Sequence, residues 1–242
     1  MHRLPAGNPA ARSGYSRTAT GTQFGAAHYP RRMTLSLARR ERLELCDLAL
    51  ELGENAPTLC EGWVAKDLVA HLVVREHRPL SGVGIAVPGL SGLAKQEMAK
   101  VKRRDFAVLV EKVRNPGFTP YALPPVDHLA NTLEYFVHHE DLHRAQPGWE
   151  PRDLDPGDQA RLWSQIKLAG RGLVRRAGVP VRIRRSDTGE TAGLRSGDEP
   201  VVVTGLPSEI VLLLFGRDQA RGLELDGPED RVSRLRGADL GF

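Results

Sequence analysis

The stretch LEYFVHHEDLHRAQP, Leu133 to Pro147, places three histidines and three acids between Glu134 and Arg144. On a helix, residues four apart lie one turn above each other, so a carboxylate and an imidazole at that spacing can reach the same small cation. Within the stretch, Glu134 with His138 and His139 with His143 have it. At about 100° per residue, the apolar stripe of this segment runs through Val126, Ala130, Leu133 and Val137. Glu134, His138 and Asp141 lie along the edge of that stripe and face an interior. His139 and His143 fall on the polar side and are expected as solvated surface histidines.

A third donor comes from DLVAHLVV, where His71 sits among Leu68, Val69, Leu72 and Val74. A buried imidazole needs a partner. It is either a core histidine bonded to a carbonyl or a ligand converging with Glu134 and His138, and Glu134 has pairing with an arginine as its alternative. Cys60, in the preceding loop, reads as a small packed residue, with a fourth ligand or a redox thiol as alternatives. Arg75, one turn beyond His71, either meets an anionic substrate or ends its helix in solvent. Arg217, in FGRD at the end of an apolar helix, is either a surface arginine favourable at a helix C-terminus or a side chain reaching across a domain cleft.

The elements that must hold these groups are legible from period and punctuation. Apolar residues recur at helical spacing from Ser36 to Leu52, ended by Gly53; VAKDLVAHLVVREH forms a second helix stopped before Pro79. A third helix spans about Ala94 to Arg114, and a fourth Val126 to Ala145, closed by Pro147 and Gly148. Beyond Trp149 the pattern changes. A helix from Pro156 to Ala177 is followed by VPVRIRRS, a DTGE turn, EPVVVTG, the helix LPSEIVLLLFGR and GLELDG, alternating β-branched runs with turns. The expected class is α+β: a metal-binding four-helix bundle over 33–148, then a small α+β domain over 149–242.

Charge limits the partners. Of 34 basic residues, five arginines fall in 1–32 beside no acid, leaving 29 against 30 acids in 33–242. The pI of about 9.3 therefore belongs to the N-terminal segment, not to a nucleic-acid-binding body. Only 5% of residues are aromatic, which also argues against base stacking. Residues 1–32 are rich in Gly, Ala, Ser, Thr and Pro without hydrophobic period; a disordered tail is expected there, read as a start-site artefact ahead of a true start at Met33, with a transit peptide as the alternative. With two cysteines, no run of about 18 apolar residues and no pattern resembling a signal peptide, the expectation is a cytoplasmic protein without membrane contact.

The motifs PTLCEGWVAKDLVAHL and EYFVHHEDL together resemble the metal-binding domain of the mycothiol-dependent maleylpyruvate isomerases, members of the broader DinB-like bundle superfamily. The matching residues are Gly62, Trp63, Asp67 and His71 in the first, and Glu134, His138 and Asp141 in the second. The resemblance covers most of 35–147. It implies that His71, Glu134 and His138 bind one divalent ion, usually zinc, with Asp141 in support. VVVTGLPSEIVLLLFGR is similar to that family's smaller α+β domain, and the likeness implies that a C-terminal arginine, Arg217, helps hold an acidic substrate. Where the family carries Thr or Ser after the Trp, this chain has Val64 and Ala65, so Asp67 must do more at the helix start.

Two imidazoles and one carboxylate leave a tetrahedral ion with an open position, as in catalytic zinc sites, where water or a thiol is activated. The resemblance implies mycothiol as the thiol. The leading expectation is a zinc-dependent, thiol-using isomerase or transferase acting on a small electrophile. The alternative is a metal-binding or sensor module without catalysis.

Overall fold

A computed structural model describes residues 35–77, 91–119 and 131–241. The N-terminal segment and the first residues of the expected fourth helix lie outside the described residues. Helix α1, Leu37–Leu52, starts where the Ser36 hydroxyl accepts the Arg39 amide at 3.2 Å and stops at Gly53, whose φ of 87° an L side chain resists. Helix α2, Ala65–His77, has no hydroxyl cap. Instead the Asp67 carboxylate reaches back to accept the Val64 amide at 3.2 Å, which is half of a capping box.

The expected third helix is two. Helix α3, Ser91–Val101, ends before Lys102, Arg103 and Arg104, and α4, Phe106–Arg114, begins where Asp105 accepts the Val108 amide. Three adjacent cations followed by a strong capping residue favour a new start over continuation. Helix α5 is Thr132–His143, and α6, Pro156–Leu173, is capped by Asp155 with Pro156 in its first turn. The expected extension of α6 to Ala177 tightens into a 3₁₀ turn, Arg175–Ala177.

Four strands follow, β1 Val181–Arg185, β2 Thr191–Arg195, β3 Val201–Gly205 and β4 Glu224–Asp226, in the order β2-β1-β3-β4. β1 pairs antiparallel with β2 and parallel with β3; β3 pairs antiparallel with β4. Strand β2, TAGLR, lacks the β-branched run that marks β1 and β3, and its pairing with β1 makes it an edge strand. Helix α7, Pro207–Leu214, follows β3, and α8, Glu229–Arg236, closes the chain. The chain is mixed helix and sheet, as its α+β patterning implied.

Two apolar clusters explain how α5 is used. Tyr135 and Leu142 join Leu45, Leu68, Leu72, Leu109 and Val113 in one, while Leu133, Phe136 and Val137 join Leu162, Trp163, Ile166 and the inner faces of β1, β3 and α7 in the other. Helix α5 is therefore covered on both sides. A single apolar stripe was the wrong guide to its polar face. His139, expected in solvent, is buried, with Nδ1 2.7 Å from Glu41. His143 is partly buried.

Covering that face required neutralising it. Arg152 holds Glu41 at 2.9 Å and Glu140 at 2.5 Å; Arg144 also meets Glu140 and forks onto Glu209 of α7 at 2.6 and 2.9 Å. On the other side, buried Arg42 forks onto Glu76, which also accepts the Tyr135 hydroxyl at 2.8 Å. Burial pushes Glu41 and Glu140 up, but Arg152, with His139 at Glu41 and Arg144 at Glu140, holds both below the usual carboxylate range. A folded-state pKa lowered in this way supplies stability above the unfolded value of about 4.3, and that stability is lost as pH falls through the folded pKa. Chemical denaturation as a function of pH should therefore show stability falling steadily below about pH 5. In Arg152→Ala, stability at neutral pH should drop by about 3 kcal/mol, because buried Glu41 loses its guanidinium partner and buried Glu140 keeps only Arg144, and the acid dependence should flatten.

Candidate metal centre

Helix α2 delivers His71 and α5 delivers Glu134 and His138 to one point. The His71 Nε2 lies 3.0 Å and the His138 Nε2 3.4 Å from the same oxygen, Glu134 Oε1. The two rings meet edge to face with centroids 5.0 Å apart, and Trp63 tilts over His71 at 5.2 Å. The ligand atoms of the three residues lie within 4.8 Å of one another. Arg75 also reaches Glu134 Oε1, at 3.3 Å, and donates to Asn131 at 2.7 Å. It belongs to the cluster rather than to open solvent.

His138 is oriented from behind. Its Nδ1 lies 2.9 Å from Asp141 Oδ2, and Asp141 in turn receives Arg217 Nε and Nη2, each at 2.7 Å. Arg217 also donates to the Phe215 carbonyl. A carboxylate on one imidazole nitrogen puts the proton there and leaves the other nitrogen's lone pair pointing forward, as metal-binding histidines require. His71 Nδ1 is buried without a hydrogen-bond partner among the described residues. The donor set fits a small divalent ion: two imidazole nitrogens and a carboxylate oxygen converge, one imidazole backed by a second carboxylate.

Among the described residues, two other acid and histidine clusters are less open to a cation. In Cys60, His138 and Asp141, both Asp141 oxygens are engaged by Arg217; in Glu41, Glu44 and His139, Arg152 already bridges the acids. Cys60 Sγ sits 3.2 Å from Asp141, 3.7 Å from Arg217 and 4.0 Å from His138 Nδ1. It therefore approaches His138 at the nitrogen opposite the one facing Glu134. The other cysteine, Cys46, is buried, which pushes its thiol up to about 12.

Electrostatics separate the two histidines. Burial pushes His71 down despite Glu134, so this ring is neutral at ordinary pH. Burial also pushes His138 down, but Asp141, Cys60 and Glu134 outweigh it and hold it well above the usual histidine value. Burial pushes Glu134 up, and Arg75 with the two imidazoles holds it well below the carboxylate range. A cleft of about 680 Å³, lined in part by Cys60, Trp63, His138, Phe215, Arg217 and Arg236, opens onto the His138 side. Sequence reasoning brought Arg217 to a cleft but missed its grip on Asp141, a contact 76 residues apart that no local pattern encodes.

Two solved structures share this architecture. One is the mycothiol-dependent maleylpyruvate isomerase, 18% identical over 82% of this chain and 93% of that one, with a TM-score of 0.55. The other is a histidine-to-alanine mutant of the same protein, with the same identity and coverage and a TM-score of 0.56. This chain has the isomerase fold. Neither a protein-family model nor a curated protein matches it. The matched share is larger than the helical part or the sheet part supplies alone, so the likeness to the isomerase spans both. No helix among the described residues is long and apolar enough to cross a membrane.

The contact between Asp141 and His138 can be read directly. In metal-free protein, His138 should titrate well above free histidine in long-range ¹H–¹⁵N spectra, and Asp141→Asn should bring it down while leaving His71 neutral. An unchanged His138 titration in the variant would show that Asp141 does not set its protonation.

Proposed function

We propose that His71, Glu134 and His138 bind one divalent ion, zinc in the first instance, and that the protein uses it with a small thiol, mycothiol, in an isomerase or transferase reaction on a small electrophile in the cytoplasm. The observation that carries this reading is the convergence of two Nε2 atoms on one Glu134 oxygen, with Asp141 backing His138, in a chain that folds like a mycothiol-dependent isomerase. Within it, α1, α2, the interrupted α3 and α4, and α5 are the members of a DinB-like four-helix bundle.

When bound with an open position, zinc lowers the proton affinity of a water or thiol beside it. The chain's own groups do the rest. Glu134 supplies the negative charge, and Arg75, beside the same oxygen, helps keep it ionised. Asp141 keeps a proton on His138 Nδ1 so that Nε2 stays a donor. Trp63 shields His71 from solvent, which protects its neutral form. Cys60 lies beside the far nitrogen of His138, away from Glu134, so it would not be in the way of an incoming thiol. An acidic substrate entering the cleft meets the guanidinium groups of Arg217 and Arg236; at Arg217 it competes with Asp141.

Metal analysis of purified variants tests the ligand set. His71→Ala, Glu134→Ala and His138→Ala should each lose bound zinc, whereas His143→Ala should keep it and His139→Ala should keep it at some loss of stability through Glu41. Because the ion must displace the His138 proton, zinc should also be released as pH falls. Zinc retained by all three ligand variants would remove the basis of the proposal.

The reaction class is tested with cobalt in place of zinc. Added thiol should give a new near-ultraviolet absorption, and mycothiol should do so at lower concentration than a simple thiol. Absorption present before thiol and lost in Cys60→Ser would make the site closed and favour the metal-binding or sensor reading.

A further inference from the structure

Strand β1 alternates buried Val181 and Ile183 with exposed Arg182 and Arg184, so both guanidinium groups stand on the sheet face turned away from the core. The register carries that face across the sheet. Arg182 lies beside Val202 of β3 and Val202 beside Asp226 of β4; Arg184 lies beside Thr204 and Thr204 beside Glu224. On the other side β2 sets Gly193 beside Arg182 and Thr191 beside Arg184, so from that edge the face runs uncharged at these positions on β2, basic on β1, uncharged on β3 and acidic on β4. The inner face is filled by Val181, Ile183, Val201 and Val203 against α6 and α7.

All four charged side chains are exposed, and none has an ion-pair or side-chain hydrogen-bond partner among the described residues. Neighbouring strands are about 4.8 Å apart, so the two columns are separated by about 10 Å. They are too far apart to pair with each other.

We infer that this face binds a second copy of the chain, sheet against sheet, about a two-fold axis running along β3. Such a rotation keeps the height along the strands and exchanges left for right. Arg182 of one copy then lies over Asp226 of the other and Arg184 over Glu224, twice by symmetry, while Val202 and Thr204 meet their own counterparts on the axis. An axis across the strands would stack arginine on arginine. A hollow of about 330 Å³ between Arg184, Thr204 and Glu224 leaves room beside Glu224 for the incoming guanidinium.

Other occupants fit less well. A polyanion is repelled by the β4 column, and the arginine-bearing segment 1–32 would satisfy that column but leave Arg182 and Arg184 unmet. Only three strands overlap, which places the contact below the roughly 1,200 Å² of stable complexes. The dimer is therefore weak, and its exposed ion pairs make it salt-sensitive.

Sedimentation of the full chain tests this. At about 50 mM NaCl a concentration-dependent dimer should form, and it should dissociate at about 500 mM, where screening acts within a few ångströms. Arg182→Glu with Arg184→Glu should be monomeric, as should Glu224→Arg with Asp226→Arg, each with unchanged circular dichroism. An equimolar mixture of the two should form a heterodimer, and all four changes in one chain should restore the homodimer. A wild-type monomer at every concentration in low salt overturns the inference. So does a dimer indifferent to both pairs of changes, or one that disappears only when 1–32 is removed.

Discussion

Glu140 and Asp141 are adjacent on α5 and both have no exposed surface. Two neighbouring carboxylates out of water are tolerable only if each is met by a cation and its remaining lone pairs are filled. The chain meets them from different directions: Glu140 from Arg144 and Arg152, Asp141 from Arg217. Arg144 continues to Glu209 on α7, and Arg217 follows α7 directly. The sheet-bearing part is therefore not an appendage to the helices. Without it Asp141 would lose its counter-ion, and Arg144 would lose Glu209.

The same constraint shapes the candidate metal centre. Asp141 can hold the His138 ring only because Arg217 keeps the carboxylate ionised against its burial, well below the usual range. Arg217, Asp141, His138 and Glu134 form one line of alternating charge and donor from the cleft inward. The His71 side is built differently: Trp63 and apolar neighbours in α2 supply desolvation in place of a carboxylate. One imidazole is held by charge and the other by packing. Two distinct environments thus produce two forward-facing nitrogens.

Much of this was legible in the chain. The period of α1 and α2 and the i, i+4 spacing of Glu134 and His138 are local and survive folding; that His71 joins them rather than bonding a carbonyl rested on the resemblance, and the structure brings the three together. The strands β1 and β3 announced themselves by β-branched runs. What was not legible depended on long-range burial. His139 was assigned to solvent because one apolar stripe was taken to define one buried face; in fact Tyr135 and Leu142 face one core and Leu133, Phe136 and Val137 another. The break between α3 and α4 falls at the run KRRD, inside the single helix expected over Ala94 to Arg114, since charged residues suit a helix surface and a helix end alike. Strand β2 exists by its pairing with β1 more than by its own residues.

Arg217 shows how burial changes the meaning of a motif. As FGRD in a sequence, it is a cation at a helix end with its donors free for a substrate. In the fold, Nε and Nη2 are taken by Asp141 and Nη1 by the Phe215 carbonyl, so the planar fork that recognises carboxylates is already filled by one from the protein itself. An acid drawn to this guanidinium has to compete with Asp141, the carboxylate that orients His138. The cleft and the candidate ligand His138 therefore share one side chain, Arg217, through its contact with Asp141.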